Sequence, residues 1–374
     1  MSTSHIYSRY ICISTNQSCN LNCIYCYEKN KTNIVFNEFD AIQKLQNILR
    51  FKTRYGTRIK IHGGEPFFVF KKIRTLCETI WQLDFEEDYL FLITTNGTLI
   101  HGEIANWLSK NKEKVRIKLS LDGDKTSQDM NRSNSFDLID IPFFVHTWPD
   151  MQINMTVSPK TLPYLAHNVK YLHSVGFKHI ISHLAIMTDW SNRNDLMCFY
   201  KQLIELVEFY LQNTNIEPCS FLNHKIEDML KDKTGTICGL GNNKKAYDFE
   251  TGCYYPCHLF FPSVCNKNIN NLLKRVDFSK IINQESPICQ TCPLFNICHT
   301  CYAENYSLRN SLTSRDMIMC QYQKIMSIMT FRYEYARILQ TKEPTRNDIL
   351  KMQTISKYSK YIQSIEKELI HVSK

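Results

Sequence analysis

The loop QSCNLNCIYCYEKN, residues 17–30, places three cysteines just after a β-rich run, ICIST at 11–15. Cys19, Cys23 and Cys26 stand in a Cys-x3-Cys-x2-Cys spacing. Three thiolates this close together can wrap one face of a cubane [4Fe–4S] cluster, which normally takes four cysteines. Three protein ligands leave one iron open to a small molecule. The loop therefore predicts a metal centre at the carboxyl end of the first strand.

Structural zinc is the alternative for this loop. Structural zinc sites close a shell of four protein ligands, and no nearby Cys or His offers a fourth ligand here. Cys12 lies on the predicted strand and is interpreted as a core residue. The spacing therefore favours an open iron–sulfur cluster over zinc.

The composition agrees with metal chemistry in a reducing compartment. The chain of 374 residues is 43% hydrophobic and 22% charged, as is typical of globular proteins. It has no apolar run long enough for a membrane span, and its first residues lack the apolar core of a secretory signal. We therefore expect a cytoplasmic protein whose 16 cysteines serve metal or redox chemistry rather than disulfides. The net charge of +9 is interpreted as a generally basic surface, without a membrane or nucleic-acid partner.

Between residues 10 and 185, short β-rich runs alternate with longer amphipathic ones. Strands are predicted at 11–15, 58–62, 89–94, 115–121, 153–157 and 179–184, and helices at 38–52, 70–83, 101–111 and 161–175. Such alternation predicts an α/β fold with a parallel sheet and right-handed crossovers, either open or closed into a partial barrel. In both cases the reactive site is expected at the carboxyl ends of the strands.

The rest of the chain departs from this alternation. Residues 193–212 predict a long helix, and residues 238–320 are rich in Cys, Asn, Gly and Pro without a regular period. Such a segment is expected to depend on ligated metal rather than on a large apolar core. Helices are predicted again at 322–339 and 344–370. The expected domains are a core domain at 1–215, a Cys-rich domain at 216–325 and a helical tail at 326–374.

The first cysteine loop resembles the signature of a known family. Cys19-x3-Cys23-x-Tyr25-Cys26 is similar to the motif of the radical SAM superfamily, whose members cleave S-adenosylmethionine (SAM) reductively to a 5′-deoxyadenosyl radical. The resemblance implies a [4Fe–4S] cluster whose open iron binds the amino and carboxylate groups of SAM. It also implies a partial (β/α)6 TIM-like barrel.

Segments after the next three predicted strands resemble the same family. Gly63-Gly64-Glu65-Pro66 is similar to the GGEP segment that binds the SAM amino group, and TTNGT (94–98) and SLDG (120–123) follow the third and fourth strands. Each is weak alone, since NG and DG are ordinary turn signals, but their order at successive strand ends gives them weight. The residues that the resemblance implies on the SAM or substrate side are Gly63, Gly64, Glu65, Pro66, Asn96, Ser120, Asp122 and Arg132.

Seven cysteines further along resemble the SPASM extension of peptide-modifying radical SAM enzymes, which holds two auxiliary [4Fe–4S] clusters. The resemblance implies that one cluster is closed by Cys289, Cys292, Cys298 and Cys320. It implies that the other takes three ligands, Cys238, Cys257 and Cys301. Zinc is again the alternative, because CxxC pairs are common in zinc ribbons.

This second group of cysteines departs from the family pattern in two ways. Cys298 and Cys301 are separated by two residues where three are usual, and no eighth cysteine precedes Cys238 closely. The cluster with three ligands is therefore expected either to keep an open iron or to take Cys219 or Cys253 as its fourth ligand.

The resemblance narrows the function to enzymes that act on peptides. Sulfatase-maturating relatives carry an Asp as base directly after the YPC cysteine, whereas here Cys257 is followed by His258. His258 is the one catalytic candidate, since His can accept a proton, although a supporting role is an equal alternative. We therefore favour a maturase that forms a C–C (cyclophane) or thioether crosslink in a ribosomally made precursor peptide with a leader, using an electron donor such as flavodoxin or ferredoxin. The alternatives are an anaerobic sulfatase-maturating enzyme and a non-catalytic peptide-binding scaffold.

Overall fold

A computed structural model describes residues 7–29, 31–232, 235–242, 244–265 and 269–372. Contacts between residues divide the chain into two units, which are described one at a time. The first unit contains Met1–Leu121, Arg132–Gln152 and Gly239–Ile281. The second unit contains Asp122–Asn131, Ile153–Cys238 and Ile282–Lys374.

The strands follow the predicted β-rich runs closely along the chain. They are β1 (Arg9–Ser14), β2 (Thr57–His62), β3 (Tyr89–Thr95), β4 (Val115–Leu119), β5 (Gln152–Val157), β6 (His179–Leu184), β7 (Lys244–Asp248) and β8 (Cys253–Tyr255). The α-helices are α1 (Glu38–Leu49), α2 (Phe70–Trp81), α3 (Gly102–Lys110), α4 (Lys125–Asn131), α5 (Ile141–Thr147), α6 (Leu165–Ser174), α7 (Arg193–Gln212), α8 (Asn270–Arg275), α9 (Pro287–Gln290), α10 (Tyr302–Arg309), α11 (Met317–Leu339) and α12 (Arg346–Val372).

The first unit is built on a six-stranded sheet with the order β4-β3-β2-β1-β7-β8. β1 pairs in parallel with β2 and with β7, and only β8 runs antiparallel to its neighbour. Successive side chains of a strand point to opposite faces of the sheet, and Ile59 and Ile61 on one face are fully buried. Ile11 and Ile13 share that face and line a small gap together with α1. This face is therefore the apolar core between sheet and helices.

The second unit combines a two-stranded sheet, β5–β6, with long helices. α11 packs against both α7 and α12. The ring of Tyr322 on α11 lies 5.3 Å from Trp190 and 5.2 Å from Phe199, measured between centroids. Such aromatic pairs stabilise a core beyond the area that they bury, and they fix α11 on α7.

Short polar side chains begin the main helices. Asn37 accepts a hydrogen bond from Phe39 N at the start of α1, and Asp316 accepts from Ile318 N and Met319 N at the start of α11. Each cap satisfies backbone N–H groups that lack a partner within the helix, and such a cap contributes about 1 kcal/mol. The helix starts are therefore encoded locally.

The α/β architecture with a parallel sheet confirms the fold predicted from the sequence. The pairing differs in detail, because β5 and β6 hydrogen-bond to each other in a sheet of their own, while β7 and β8 join the main sheet. The run KKAYD of β7 contains two lysines and stands among cysteines, so its pattern did not indicate a strand. None of the described helices is long and apolar enough to span a membrane. The predicted domain boundaries stay predictions.

Candidate functional site

The first cysteine loop follows β1 and belongs to the first unit. Cys19, Cys23 and Cys26 are all partly exposed, and Cys26 N donates to Cys23 O over 3.1 Å. Leu21 N donates to Cys19 Sγ over 3.5 Å, which turns that sulfur toward the loop's own backbone. The loop thus presents three accessible thiols within one turn of chain.

The GGEP segment, directly after β2, is hydrogen-bonded to the start of this loop. Gly64 N donates to Asn16 O, and Glu65 N donates to Ser18 O over 2.8 Å. A Cβ atom would lie 2.5 Å from Asn16 Oδ1 at Gly63 and 2.3 Å from Ser18 O at Gly64, closer than real side chains approach. Both positions therefore require glycine.

Glu65 is fully buried and binds the end of β3. Its Oε1 accepts from Thr95 Oγ1 over 2.8 Å and from Phe67 N, and its Oε2 accepts from Asn96 N over 2.8 Å. Burial raises the pKa of Glu65 to about 7, although these hydrogen bonds and the positive charge of Arg132 oppose the shift. The carboxyl group therefore fixes the two strand ends beside the cysteine loop.

Asn96 connects the end of β3 to the cysteine loop. Its Nδ2 donates to Asn20 Oδ1 over 2.9 Å and lies 3.9 Å from Cys19 Sγ. Its Oδ1 accepts from Thr98 N over 3.0 Å, so the amide orientation is fixed by the loop that follows β3. Asn96 thereby positions Cys19.

Three further candidates complete this part of the first unit. Pro66 is buried at the start of a short 3-10 helix, Pro66–Val69. Ser120 is buried at the end of β4, where its N–H donates to Thr95 O over 2.9 Å. The guanidinium of Arg132 lies 5.3 Å from the centre of the Tyr25 ring, within the cysteine loop. These candidates therefore gather with the cysteines at the carboxyl ends of the parallel strands.

Asp122 belongs to the second unit, and its contacts there are structural. Its Oδ1 accepts from Thr156 N over 2.9 Å, and its Oδ2 accepts from Asn131 Nδ2 over 3.0 Å. These hydrogen bonds join the turn after β4 to β5. A role of Asp122 toward SAM or substrate stays a prediction.

His258 lies in a cluster that the sequence did not predict. Tyr27 Oη is 3.2 Å from His62 Nε2 and 3.3 Å from His258 Nε2, and His62 Nε2 is 3.2 Å from Glu28 Oε1. Burial lowers the pKa of His258 well below its usual value, and the nearby His62 adds to that shift. Within the described part of the chain, the buried His258 Nδ1 has no hydrogen-bond partner. The ring is therefore neutral, with one nitrogen available.

Two residues of this cluster lie next to predicted motifs in the sequence. Tyr27 directly follows Cys26, and His62 directly precedes Gly63. Each could have been singled out as a side chain next to a motif, but only the fold brings the two rings and His258 together.

In the second unit, four cysteines of the predicted SPASM extension share one environment. Burial raises the pKa of Cys320, and the nearby Cys292 and Cys289 add to this effect. Arg315 Nη1 donates to Cys298 Sγ over 3.0 Å, and its Nε and Nη2 donate to Glu285 over 3.1 and 2.8 Å. The contacts thus connect these four thiols, with a buried ion pair beside one of them.

The three remaining candidate ligands lie in different units. Cys257 is buried in the first unit at the start of a 3-10 helix, His258–Phe260. Cys238 and Cys301 are half-buried in the second unit. The two possible fourth ligands contrast, because Cys219 is fully buried and Cys253 is exposed.

No three described His, Cys, Asp or Glu side chains are grouped closely enough to hold a single metal ion. A four-iron cluster makes a different demand, because each thiolate binds a separate iron and the ligands spread around a larger cage. The residues of the first unit fit such a cluster, with three accessible thiols on one loop and two glycines that no side chain could replace.

Comparisons with known proteins agree with this geometry. Residues 13–140 match the model of the Radical SAM superfamily. An uncharacterised protein of Methanocaldococcus jannaschii is 26% identical over 281 residues, which are 70% of this chain and 89% of that protein. A GTP 3′,8-cyclase of Staphylococcus epidermidis is 23% identical over 368 residues, which are 92% of this chain and 94% of that enzyme.

Two solved structures share the fold. Native anSMEcpe with bound AdoMet superposes with a TM-score of 0.67 at 20% identity, over 88% of this chain and 98% of that chain. Streptococcus suis SuiB bound to the precursor peptide SuiA superposes with a TM-score of 0.58 at 19% identity, over 83% of this chain and 76% of that chain. Residues 13–140 therefore form a radical SAM domain, and the chain has the fold of these two solved structures.

Proposed function

We propose that this radical SAM enzyme is a peptide maturase that oxidatively crosslinks side chains of a ribosomally made precursor. The observation that carries the proposal is the fold, which is shared with anSMEcpe solved with the Cp18Cys peptide and with SuiB solved with the precursor peptide SuiA. The crosslink is a C–C cyclophane or a thioether.

The residues of the first unit bind and orient. A [4Fe–4S] cluster on Cys19, Cys23 and Cys26 would supply the electron that cleaves bound SAM and so starts hydrogen abstraction from the peptide. Gly63 and Gly64 allow the GGEP segment to approach the cysteine loop closely, and Asn96 orients Cys19. Arg132 brings a positive charge that suits the SAM carboxylate.

His258 is the proposed proton acceptor. A neutral imidazole with a free nitrogen can take the proton that leaves the substrate as the new bond forms. Tyr27 Oη lies 3.3 Å from the other nitrogen of this ring, and the His62 ring packs against it with 4.6 Å between centroids, which fixes its orientation.

The cysteines of the SPASM extension are proposed to hold two auxiliary [4Fe–4S] clusters. Cys289, Cys292, Cys298 and Cys320 would close one cluster, and Cys238, Cys257 and Cys301 would give three ligands to the other. Such clusters would supply an acceptor for the second electron, and the peptide would then lose two hydrogens in total. None of the 16 cysteines forms a disulfide, and the proposed location is a reducing cytoplasm with flavodoxin or ferredoxin as electron donor.

The test is anaerobic co-expression with a candidate precursor, taken from any short open reading frame found near the gene. With the wild-type enzyme, the peptide should lose two hydrogens, and fragmentation should stop across a few residues. The Cys23→Ala variant should leave the mass unchanged, whereas Cys198→Ala, a half-buried thiol on α7, should behave as wild type. An unmodified peptide with the wild-type enzyme would refute the proposal.

Cyclisation of GTP is a second candidate. The observation that favours it is the alignment with the Staphylococcus epidermidis GTP 3′,8-cyclase along 92% of this chain. Incubation of the reconstituted enzyme with GTP, SAM and dithionite separates the two functions, because only a cyclase consumes GTP in step with SAM.

A further inference from the structure

The face of the main sheet opposite to its apolar core carries basic side chains. Ile59, Ile61 and Ile117 are buried on the core side. Because strand side chains alternate, Lys60 on β2 and Lys118 on β4 lie on the other side. Arg58 shares that side of β2 and pairs with Tyr10 of β1. We call Arg58, Lys60 and Lys118 the basic face.

Most of this positive charge has no counter-ion in the described part of the chain. No hydrogen bond or ion pair there reaches the ammonium group of Lys60 or Lys118. Arg58 lies over the Tyr7 ring at 4.5 Å, and its Nε is buried without a partner. The acidic groups that act on Lys60 are the thiols of Cys12 and Cys257 and, more weakly, the carboxylate of Glu28, which is already paired with His62 at 3.2 Å.

Mutual repulsion on the basic face is visible at Lys118. Burial lowers the pKa of Lys118 to about 7, and the positive charges of Lys60 and Arg58 lower it further. The neighbouring strand β3 offers it no charge, since its facing residue is Thr94, whose Oγ1 is buried and unpaired. Arg116, on the same strand as Lys118, pairs with Glu113 at 3.6 Å. A negative charge bound here would relieve this repulsion.

We propose that the basic face binds an anionic group of the substrate, and that this group is a side-chain carboxylate of an acidic residue in the peptide. The inference rests on the peptide substrate of the proposed function and adds an acidic residue to it. Lysine binds oxyanions as a point charge on a flexible stem. The unpaired Thr94 Oγ1 and Arg58 Nε add hydrogen-bond donors on the same face.

Lysine acetylation with mass spectrometry measures this site on the reconstituted holoenzyme without any turnover. The probe is the capped hexapeptide Ac-GEGEGE-amide, and Ac-GQGQGQ-amide is its uncharged match. At a concentration ten times its Kd, the Glu peptide should slow acetylation of Lys60 and Lys118 about tenfold. It should leave the exposed Lys52 unprotected. Equal labelling with and without the Glu peptide overturns the proposal.

Charge variants separate this site from a general effect of surface charge. Lys60→Gln and Lys118→Gln should each weaken binding of a fluorescent Glu peptide about tenfold, since each removes a half-buried partner of the carboxylate. Lys118→Arg keeps the charge and should bind as wild type, and Lys52→Gln serves as the exposed control. Unchanged affinity in both Gln variants overturns the proposal.

The remaining outcomes distinguish this inference from the proposed function. Protection of Lys60 and Lys118 by GTP at lower concentrations than by the Glu peptide assigns the face to phosphate and overturns the carboxylate. If a precursor is crosslinked equally well after its acidic residues are replaced by Asn and Gln, this inference is wrong and the proposed function still stands. Loss of the proposed function is seen separately, as a peptide that is never modified.

Discussion

The two groups of cysteines differ in the charge that surrounds their sulfurs. In the first loop, Cys19 Sγ accepts from two neutral donors, Leu21 N and Asn96 Nδ2. In the second unit, Cys298 Sγ accepts from the guanidinium of Arg315. Cluster potentials depend on net charge and on hydrogen bonds to sulfur. We therefore infer that a cluster on the first group would have the lower potential and would give electrons, and that a cluster beside Cys298 would accept them.

The largest expected effect comes from removing a ligand of the first group. Cys19→Ala should abolish SAM cleavage, because two thiolates do not hold a four-iron cluster with one open iron. The measurement is 5′-deoxyadenosine formed under dithionite after anaerobic reconstitution. Cys77→Ala, a buried thiol on α2, is the control for loss of a cysteine as such. Turnover by Cys19→Ala would remove this loop from the mechanism.

A ligand of the second group should behave differently. Cys292→Ala should leave some uncoupled SAM cleavage but stop peptide modification, since the second electron has no acceptor. Both products are measured in the same reaction, 5′-deoxyadenosine by chromatography and the peptide by its mass. If Cys292→Ala and Cys19→Ala lose the same activities, the two groups do not have separate roles.

Arg315 tests the electrostatic part of the comparison. Arg315→Gln should make the potential of the cluster beside Cys298 more negative, because a positive donor to sulfur is lost. The potential is read from an EPR redox titration in a background without Cys19, Cys23 and Cys26, so that only auxiliary clusters contribute.

The same titration includes two further variants. Arg315→Lys keeps the charge and should recover part of the shift, while Arg332→Gln alters an ion pair between α11 and α12, with Glu366, and should change nothing. An unchanged potential in Arg315→Gln would mean that the guanidinium binds Glu285 without affecting the cluster.

What the sequence could predict follows from how local each signal is. The cysteine loop and the GGEP segment are contiguous motifs, and the Ile-rich alternation of β2 predicts a strand directly. The sequence could not predict that β5 and β6 pair in a sheet of their own. The hydrophobic period of a strand is the same whichever strand it pairs with.

The sequence also could not predict contacts between residues that are far apart along the chain. Tyr27, His62 and His258 come from three separate parts of the chain, and so do Glu285, Cys298 and Arg315. Each of these side chains is ordinary in its own segment, and only packing gives it a partner. The ligand roles of Cys19, Cys23 and Cys292 stay predictions that the variants above test, and the SAM-side roles of Asn96 and Ser120 stay predictions as well.

The smallest expected effect is a pH dependence at the first group. The pKa of Glu65 is raised by burial from its usual value to about 7, so between pH 4.5 and 7 the folded state binds more protons than the unfolded state. The free energy of unfolding should therefore fall as pH rises through this window, by up to about 3 kcal/mol. Urea denaturation at several pH values measures it, and Glu65→Gln should remove the slope.

Glu87 is the matched control for this carboxyl group. Hydrogen bonds from Thr57 and Thr53 outweigh burial and hold the pKa of Glu87 below its usual value. The stabilisation by Glu87 is complete above the usual pKa of a Glu and is lost only as pH falls through its lowered pKa. Glu87→Gln should therefore not change how the free energy of unfolding varies between pH 4.5 and 7. A slope that survives in Glu65→Gln would mean that another titrating group causes it, and the raised pKa of Glu65 would then be wrong as its explanation.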